Sequence, residues 1–169
     1  PEATHGEAIR RIAQYLKGTR DKGLIFESTD VGLECWVNSD FAGNWSKDID
    51  PYNSSIAKSS TGYIITCAVN PILWGSKLQT EMAQLTTEAE YLAISTALCE
   101  VIPCIDLLTE LREHGFIDPP TKAQLHCKVF EDNSGALVMA KIHKYRPRTK
   151  HLNVKLHHFR SYVESGEIS

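Results

Sequence analysis

The chain has 169 residues, 42% of them hydrophobic, and a formal net charge of −3. That length suits one domain, or one domain with an appendage, in which folding buries roughly 70% of the unfolded surface. No apolar run approaches the roughly 20 residues of a membrane span, the opening PEATHGEAIRR lacks a signal-peptide core, and five cysteines with no CxxC pair argue against a disulfide framework. A soluble, intracellular protein with its cysteines used as small buried hydrophobes is therefore expected.

In chain order, the first segment predicts an amphipathic helix. Ile9, Ile12, Ala13 and Leu16 share a face, Thr4 and Glu7 have capping-box spacing, and Gly18 supplies a stop. GLIFE and LECWVNS alternate apolar and polar residues as strands, with Leu33, Cys35 and Val37 on one face and Asp40 on the other. Residues 44–60 are rich in Asn, Ser, Asp and Lys and form the longest expected loop. Asp48 and Asp50 there lack the glycine and terminal glutamate of a calcium-binding EF-hand loop. TGYIITCAV and ILWGSKLQ predict an antiparallel hairpin with its turn at Asn70-Pro71.

The strongest helical pattern covers residues 87–101, and Pro103 is expected to kink it or divide it from a second piece ending near Gly115. QLHCKVF predicts another strand, running into Asp132. A short helix, SGALVMAKI, follows with Asn133 as its N-cap. The last helix carries Leu152, Leu156, Phe159 and Val163 on one face and closes at Gly166. The order strand, strand, strand, helix, strand, helix indicates an α/β fold, a mixed sheet in which an antiparallel meander gains a parallel strand after a crossover helix.

Two features carry chemistry. Asp40 closes a strand, Glu90 opens a helix and Asp132 stands at a strand-to-helix switch. Carboxylates converging from separate elements are what a pair of hard divalent cations about 4 Å apart requires. Each acid also has a local structural explanation. Thr87 and Glu90 match a capping box, Asp132 can cap a helix, Asp40 can be a turn residue, and Glu88 competes with Glu90 for the helix position. The second feature is charge asymmetry. No acid occurs from Asn133 to Val163, while Lys141, Lys144, Arg146, Arg148, Lys150, Lys155 and Arg160 fall there among His143, His151, His157 and His158. Such a block suits a phosphate backbone, with a solvated surface as the alternative.

The segments IRRIAQYLKGTRDKGLIF, NSDFAGNW, SSTGYIITCAVNPILWGSKLQT, TTEAEYLAISTALCEVI, FEDNSGALVMA and RPRTKHLNVKLHHFRSYVESGEI resemble the ribonuclease H region of copia-type LTR-retrotransposon polyproteins, preceded by the tail of the reverse transcriptase. The resemblance implies two units, a reverse-transcriptase tail over 1–30 and a ribonuclease H-like domain over 31–169. In that fold the first and fourth strands lie side by side, so Asp40 and Asp132 would meet with Glu90 facing them. It further implies hydrolysis of the RNA strand of an RNA–DNA hybrid by two Mg²⁺ ions, with Mn²⁺ as a substitute. Asp40 would bridge both ions, Asp132 would hold the ion that activates water, and Glu90 the other. Asn133, Ser134, Arg146, Arg148, Lys150 and His151 would touch nucleic acid. The remaining reverse transcriptase is the expected partner, no membrane is involved, and the setting is a cytoplasmic particle or the nucleus.

One departure stands out. The family's fourth carboxylate lies in an Ala-Asp pair on a helix after a further strand, and this sequence ends at GEIS before both. The last strand and helix are therefore expected to be missing, with weak or no activity in this chain. Two other functions fit the same residues: an inactive nucleic-acid- or partner-binding module, and an integrase or transposase core. In the last, the acids run Asp, Asp, Glu, whereas here the glutamate is in the middle.

Overall fold

A computed structural model describes residues 3–27, 32–43, 45, 54–116, 125–141 and 159–169. The elements are α1 (Ala3–Gly18), β1 (Leu33–Asp40), a 3-10 turn (Ser54–Ala57), β2 (Ser60–Cys67), β3 (Asn70–Leu78), α2 (Thr86–Glu113), β4 (Cys127–Phe130) and α3 (Ser134–Lys141). Residues 159–164 are helical as well. The four strands form one sheet in the order β3-β2-β1-β4. β1 runs antiparallel to β2 and parallel to β4. This is the expected mixed α/β sheet flanked by helices, compatible with a ribonuclease H-like fold.

Period-2 alternation sets the faces of β1. Leu33, Cys35, Val37 and Ser39 are buried, whereas Trp36, Asn38 and Asp40 are exposed on the opposite face. α2 lies across the buried face. Ala89, Ala93 and Ala97 are fully buried at four-residue spacing, and these small side chains let the helix approach the strands closely. Leu98, Val101, Ile102 and Ile105 extend that contact into the core around Ile65, Cys127 and Phe159. Burial lifts the thiols of Cys35 and Cys127 to about 12, so both are inert packing groups. α2 is long and apolar enough to cross a membrane by composition alone. Half of that apolar stretch is buried inside this fold.

Several expectations are corrected. Pro103 does not divide α2, which is continuous from Thr86 to Glu113. The carbonyl that Pro103 leaves without a helical donor is that of Cys99, and both residues lie on the exposed side, where water can satisfy it. The hairpin turns at Ala68 and Val69, both at positive φ (49° and 60°). Asn70 and Pro71 instead belong to β3. Pro71 is tolerated because β3 is an edge strand with a bulge opposite Ile65/Thr66. The Asn70 amide replaces the usual turn chemistry, donating to the carbonyls of Ala68 (2.7 Å), Cys67 (3.3 Å) and Glu27 (2.5 Å).

GLIFE is not a strand. Residues 22–27 form no regular element, and the segment is held by Glu27 N–H donating to Asn70 Oδ1 at 2.8 Å. α1 forms as expected, but its stripe does not dock among the described residues, since Ile9, Ile12 and Leu16 are all at least 60% exposed. At the other end, residues 167–169 lie beside β4. Cys127 N–H donates to the Glu167 carbonyl (2.8 Å) and Val129 N–H to that of Ser169 (2.9 Å). Ile168 makes a parallel bridge to Cys127.

Candidate metal centre

The first turn of α2 separates the two glutamates that compete for it. The N-cap position is Leu85, with no side-chain cap. Glu88 reaches back instead, accepting the Gln84 N–H at 2.8 Å. The expected Thr87–Glu90 capping box is therefore not formed. Glu90 is 4% exposed and points into the fold. At the end of β4, Asn133 caps α3, its Oδ1 accepting the Ala136 N–H at 3.0 Å. The Asn133 N–H donates to Glu131 Oε1 at 3.1 Å, which holds Glu131 at the same turn.

These two local structures bring Glu90, Glu131 and Asp132 together. Each offers an oxygen, and the three oxygens lie within 4.8 Å of one another. Burial raises the Glu90 carboxyl above its ordinary value. The Ser39 backbone opposes the rise by hydrogen bonding, and the charge of Asp132 adds to it. Glu131 is pushed up to about 7, mainly by burial. The Asn133 N–H lowers it, while the charge of Glu90 and both the shared hydrogen bond and the charge of Asp132 raise it.

Glu90 Oε2 and Glu131 Oε2 are buried with no hydrogen-bond partner among the described residues. An all-oxygen group with two orphaned, mutually repelling carboxylate oxygens fits a hard divalent cation such as Mg²⁺ or Mn²⁺.

Asp40, which the resemblance implied would bridge the ions, is not a member of this group. The cause is register. Trp36 pairs with Phe130 in the parallel β1–β4 ladder. Carried two residues further, that register sets Asn38, and not Asp40, level with Asp132. Asp40 thus lies about 7 Å farther along β1. Its carboxylate folds over the following turn, so close to Gly43 that a Cβ there would overlap it. The strand residue beside Asp132 is therefore a neutral amide. Asn38 and Asp132 both line a cavity of about 810 Å³ on the exposed face, together with Trp36, Tyr63, Glu131 and Phe130. Trp36 and Phe130 stack there, with ring centroids 4.0 Å apart.

Sequence reasoning thus missed Glu131 and Asn38. Asn38 shares a strand face with Asp40, so the alternation offered both positions, but only the parallel register chooses between them. Ser134 opens α3 and is exposed. Arg146, Arg148, Lys150 and His151 lie outside the described residues.

No protein-family model and no solved structure matches the chain. Curated relatives do, along nearly all of it. The chain is 37% identical over 168 residues, 99% of its length, to the retrovirus-related Pol polyprotein from transposon TNT 1-94 of Nicotiana tabacum. It is 31% identical over 169 residues to those from transposons RE2 and RE1 of Arabidopsis thaliana. Nearly the whole chain is thus similar to a segment of retrovirus-related Pol polyproteins. The Pol-like segment spans about a tenth of those relatives' length, 11% for the first and 10% for the other two.

Proposed function

We propose that this Pol-like segment is a ribonuclease H domain, hydrolysing the RNA strand of an RNA–DNA hybrid with Mg²⁺ or Mn²⁺. Residues 1–30 would be the tail of a reverse transcriptase whose remainder is its partner. The carrying observation is the three-carboxylate group, two of whose buried oxygens have no partner among the described residues. Glu90, Glu131 and Asp132 would hold the metal, and Glu131 enters the proposed set in place of Asp40. A bound divalent ion would lower the pKa of water and stabilise the departing oxygen of a phosphodiester.

The chain's own residues supply the rest. The α2 turn fixes Glu90 and the α3 cap fixes Glu131. The basic stretch including Arg146, Arg148, Lys150 and His151 would hold the phosphate backbone, with Asn133 and Ser134 offering neutral hydrogen-bonding groups nearby. The setting would be a cytoplasmic retrotransposon particle or the nucleus.

A second reading, a binding module that holds hybrid without cutting it, is favoured by one observation, the amide of Asn38 at the β1 position level with Asp132. One experiment separates the two. A labelled RNA–DNA hybrid is incubated with the chain in Mg²⁺ or Mn²⁺, alongside Asp132→Asn and Asn38→Asp. Cleavage by the unsubstituted chain that disappears in Asp132→Asn supports the enzyme. Binding without cleavage, with cleavage gained in Asn38→Asp, supports the module. Neither binding nor cleavage in any form would overturn both.

A further inference from the structure

Gln79 directly follows β3 and lies against the first turn of α2. It is 7% exposed, and its N–H donates to the Ser59 carbonyl at 2.8 Å. Its side-chain Nε2 reaches three elements at once. It lies 3.0 Å from Thr61 Oγ1 on β2, 2.9 Å from the Ala89 carbonyl on α2, and 3.4 Å from Ser39 Oγ on β1. Ala89 and Glu90 share a peptide unit, so the carbonyl that Gln79 holds is rigidly coupled to the backbone that carries Glu90. Ser39, the third partner, belongs to the backbone segment that hydrogen-bonds the Glu90 carboxylate. Ser59, which accepts the Gln79 N–H, also accepts the Ala42 N–H at its Oγ, 3.2 Å away in the turn after β1.

We infer that Gln79 is a positioning residue for the acidic group, its carboxamide clamping the Ala89–Glu90 peptide against the ends of β1 and β2 so that the Glu90 carboxylate meets Glu131 and Asp132. This rests on the metal-centre reading proposed above. A glutamine suits the task because one NH₂ group offers two hydrogens to acceptors on separate elements, and in a buried site those acceptors have no water to turn to. Loss of the clamp frees the first turn of α2 to shift. A displacement of several tenths of an ångström is enough to spoil a shared ion site.

The test is Mn²⁺ affinity, read by calorimetry on the full chain beside the melting temperature measured in EDTA. Gln79→Met keeps length and removes the donors, and it is expected to weaken Mn²⁺ binding at least tenfold. Thr61→Val, which removes another bond of the same buried cluster without touching Ala89, is expected to stay within about threefold of the unsubstituted chain. Equal weakening in both variants, or unchanged affinity in Gln79→Met, makes Gln79 merely structural and overturns the inference.

Should Gln79→Met fail to fold, the unsubstituted chain still decides. The side-chain amide resonances of Gln79 are expected to move during Mg²⁺ titration while those of exposed Gln84 stay, and a stationary Gln79 signal overturns the inference. Asp132→Asn isolates the underlying reading. If the unsubstituted chain binds no Mn²⁺, or binds it equally well after Asp132→Asn, the metal centre fails and the clamp with it. If Asp132→Asn abolishes binding but Gln79→Met does not, only the clamp fails.

Discussion

The metal-free chain is expected to lose stability as pH rises from about 5 to 7.5, and Glu131 is the main cause. Its carboxyl stands at about 7 in the fold against 4.5 for the free side chain. A folded-state value raised above the unfolded one means that the native state holds the proton more tightly. The resulting stabilisation is complete below the unfolded value and is lost as pH climbs through the folded one. At about 1.36 kcal/mol per pH unit the displacement has a ceiling of about 3 kcal/mol. Glu131 is only partly buried, so solvent screening reduces this to about 1–2 kcal/mol. Glu90 is raised as well and contributes with the same sign.

The assay is a set of thermal melts in EDTA across that range. For a chain of this size, a melting temperature several degrees lower at pH 7.5 than at pH 5 is expected. Glu131→Gln should remove most of the fall, and Mg²⁺ should reverse it by neutralising the same carboxylates. A melting temperature that is flat or rises, or a slope that Glu131→Gln leaves unaltered, would refute the assignment of a burial-raised carboxyl to Glu131.

Further outcomes are expected. Asn38→Asp adds a carboxylate level with Asp132 and is expected to tighten Mn²⁺ binding about tenfold, a modest 1.4 kcal/mol for one more charge near a divalent ion. Asp40→Asn should change it by less than about threefold, and calorimetry showing the reverse order would restore Asp40 to the site. Replacing Ala68-Val69 by Asn-Gly matches the positive φ of both turn residues and should stabilise the chain by about 1 kcal/mol in urea denaturation. Gly75→Ala should destabilise it by about 1–3 kcal/mol, since a Cβ there would meet the Tyr63 ring at 2.6 Å. An unchanged midpoint would mean that the ring yields freely. Arg148→Ala with Lys150→Ala should weaken hybrid binding and lower its salt slope by about one per lost phosphate contact, and an unaltered slope would remove that loop from the interface.

Local pattern was enough for the elements and for much of the chemistry. The alternation of Leu33, Cys35 and Val37, the apolar helix after Thr86 and the Asn133 cap are consequences of neighbouring residues, so they could be read directly. Glu90 and Asp132 stood out because each lies where an element begins or ends. Three matters lay beyond local reading. Pro103 stays inside α2 because burial of the helix outweighs one missing hydrogen bond, and the hairpin turns at Ala68 because Asn70 supplies the hydrogen bonds that those turn residues cannot.

Which β1 residue lies level with Asp132 is decided by tertiary structure alone. Asp40 and Asn38 lie on the same strand face, and no property of the strand itself distinguishes them. The choice belongs to the parallel pairing of β1 with β4, strands separated in sequence by the whole hairpin and crossover helix. That pairing sets Asn38 level with Asp132, leaves Asp40 over its own turn and adds Glu131 to the group. Sequence determined which acids were available; long-range register determined which of them meet, because ion binding depends on distances that only the assembled sheet defines.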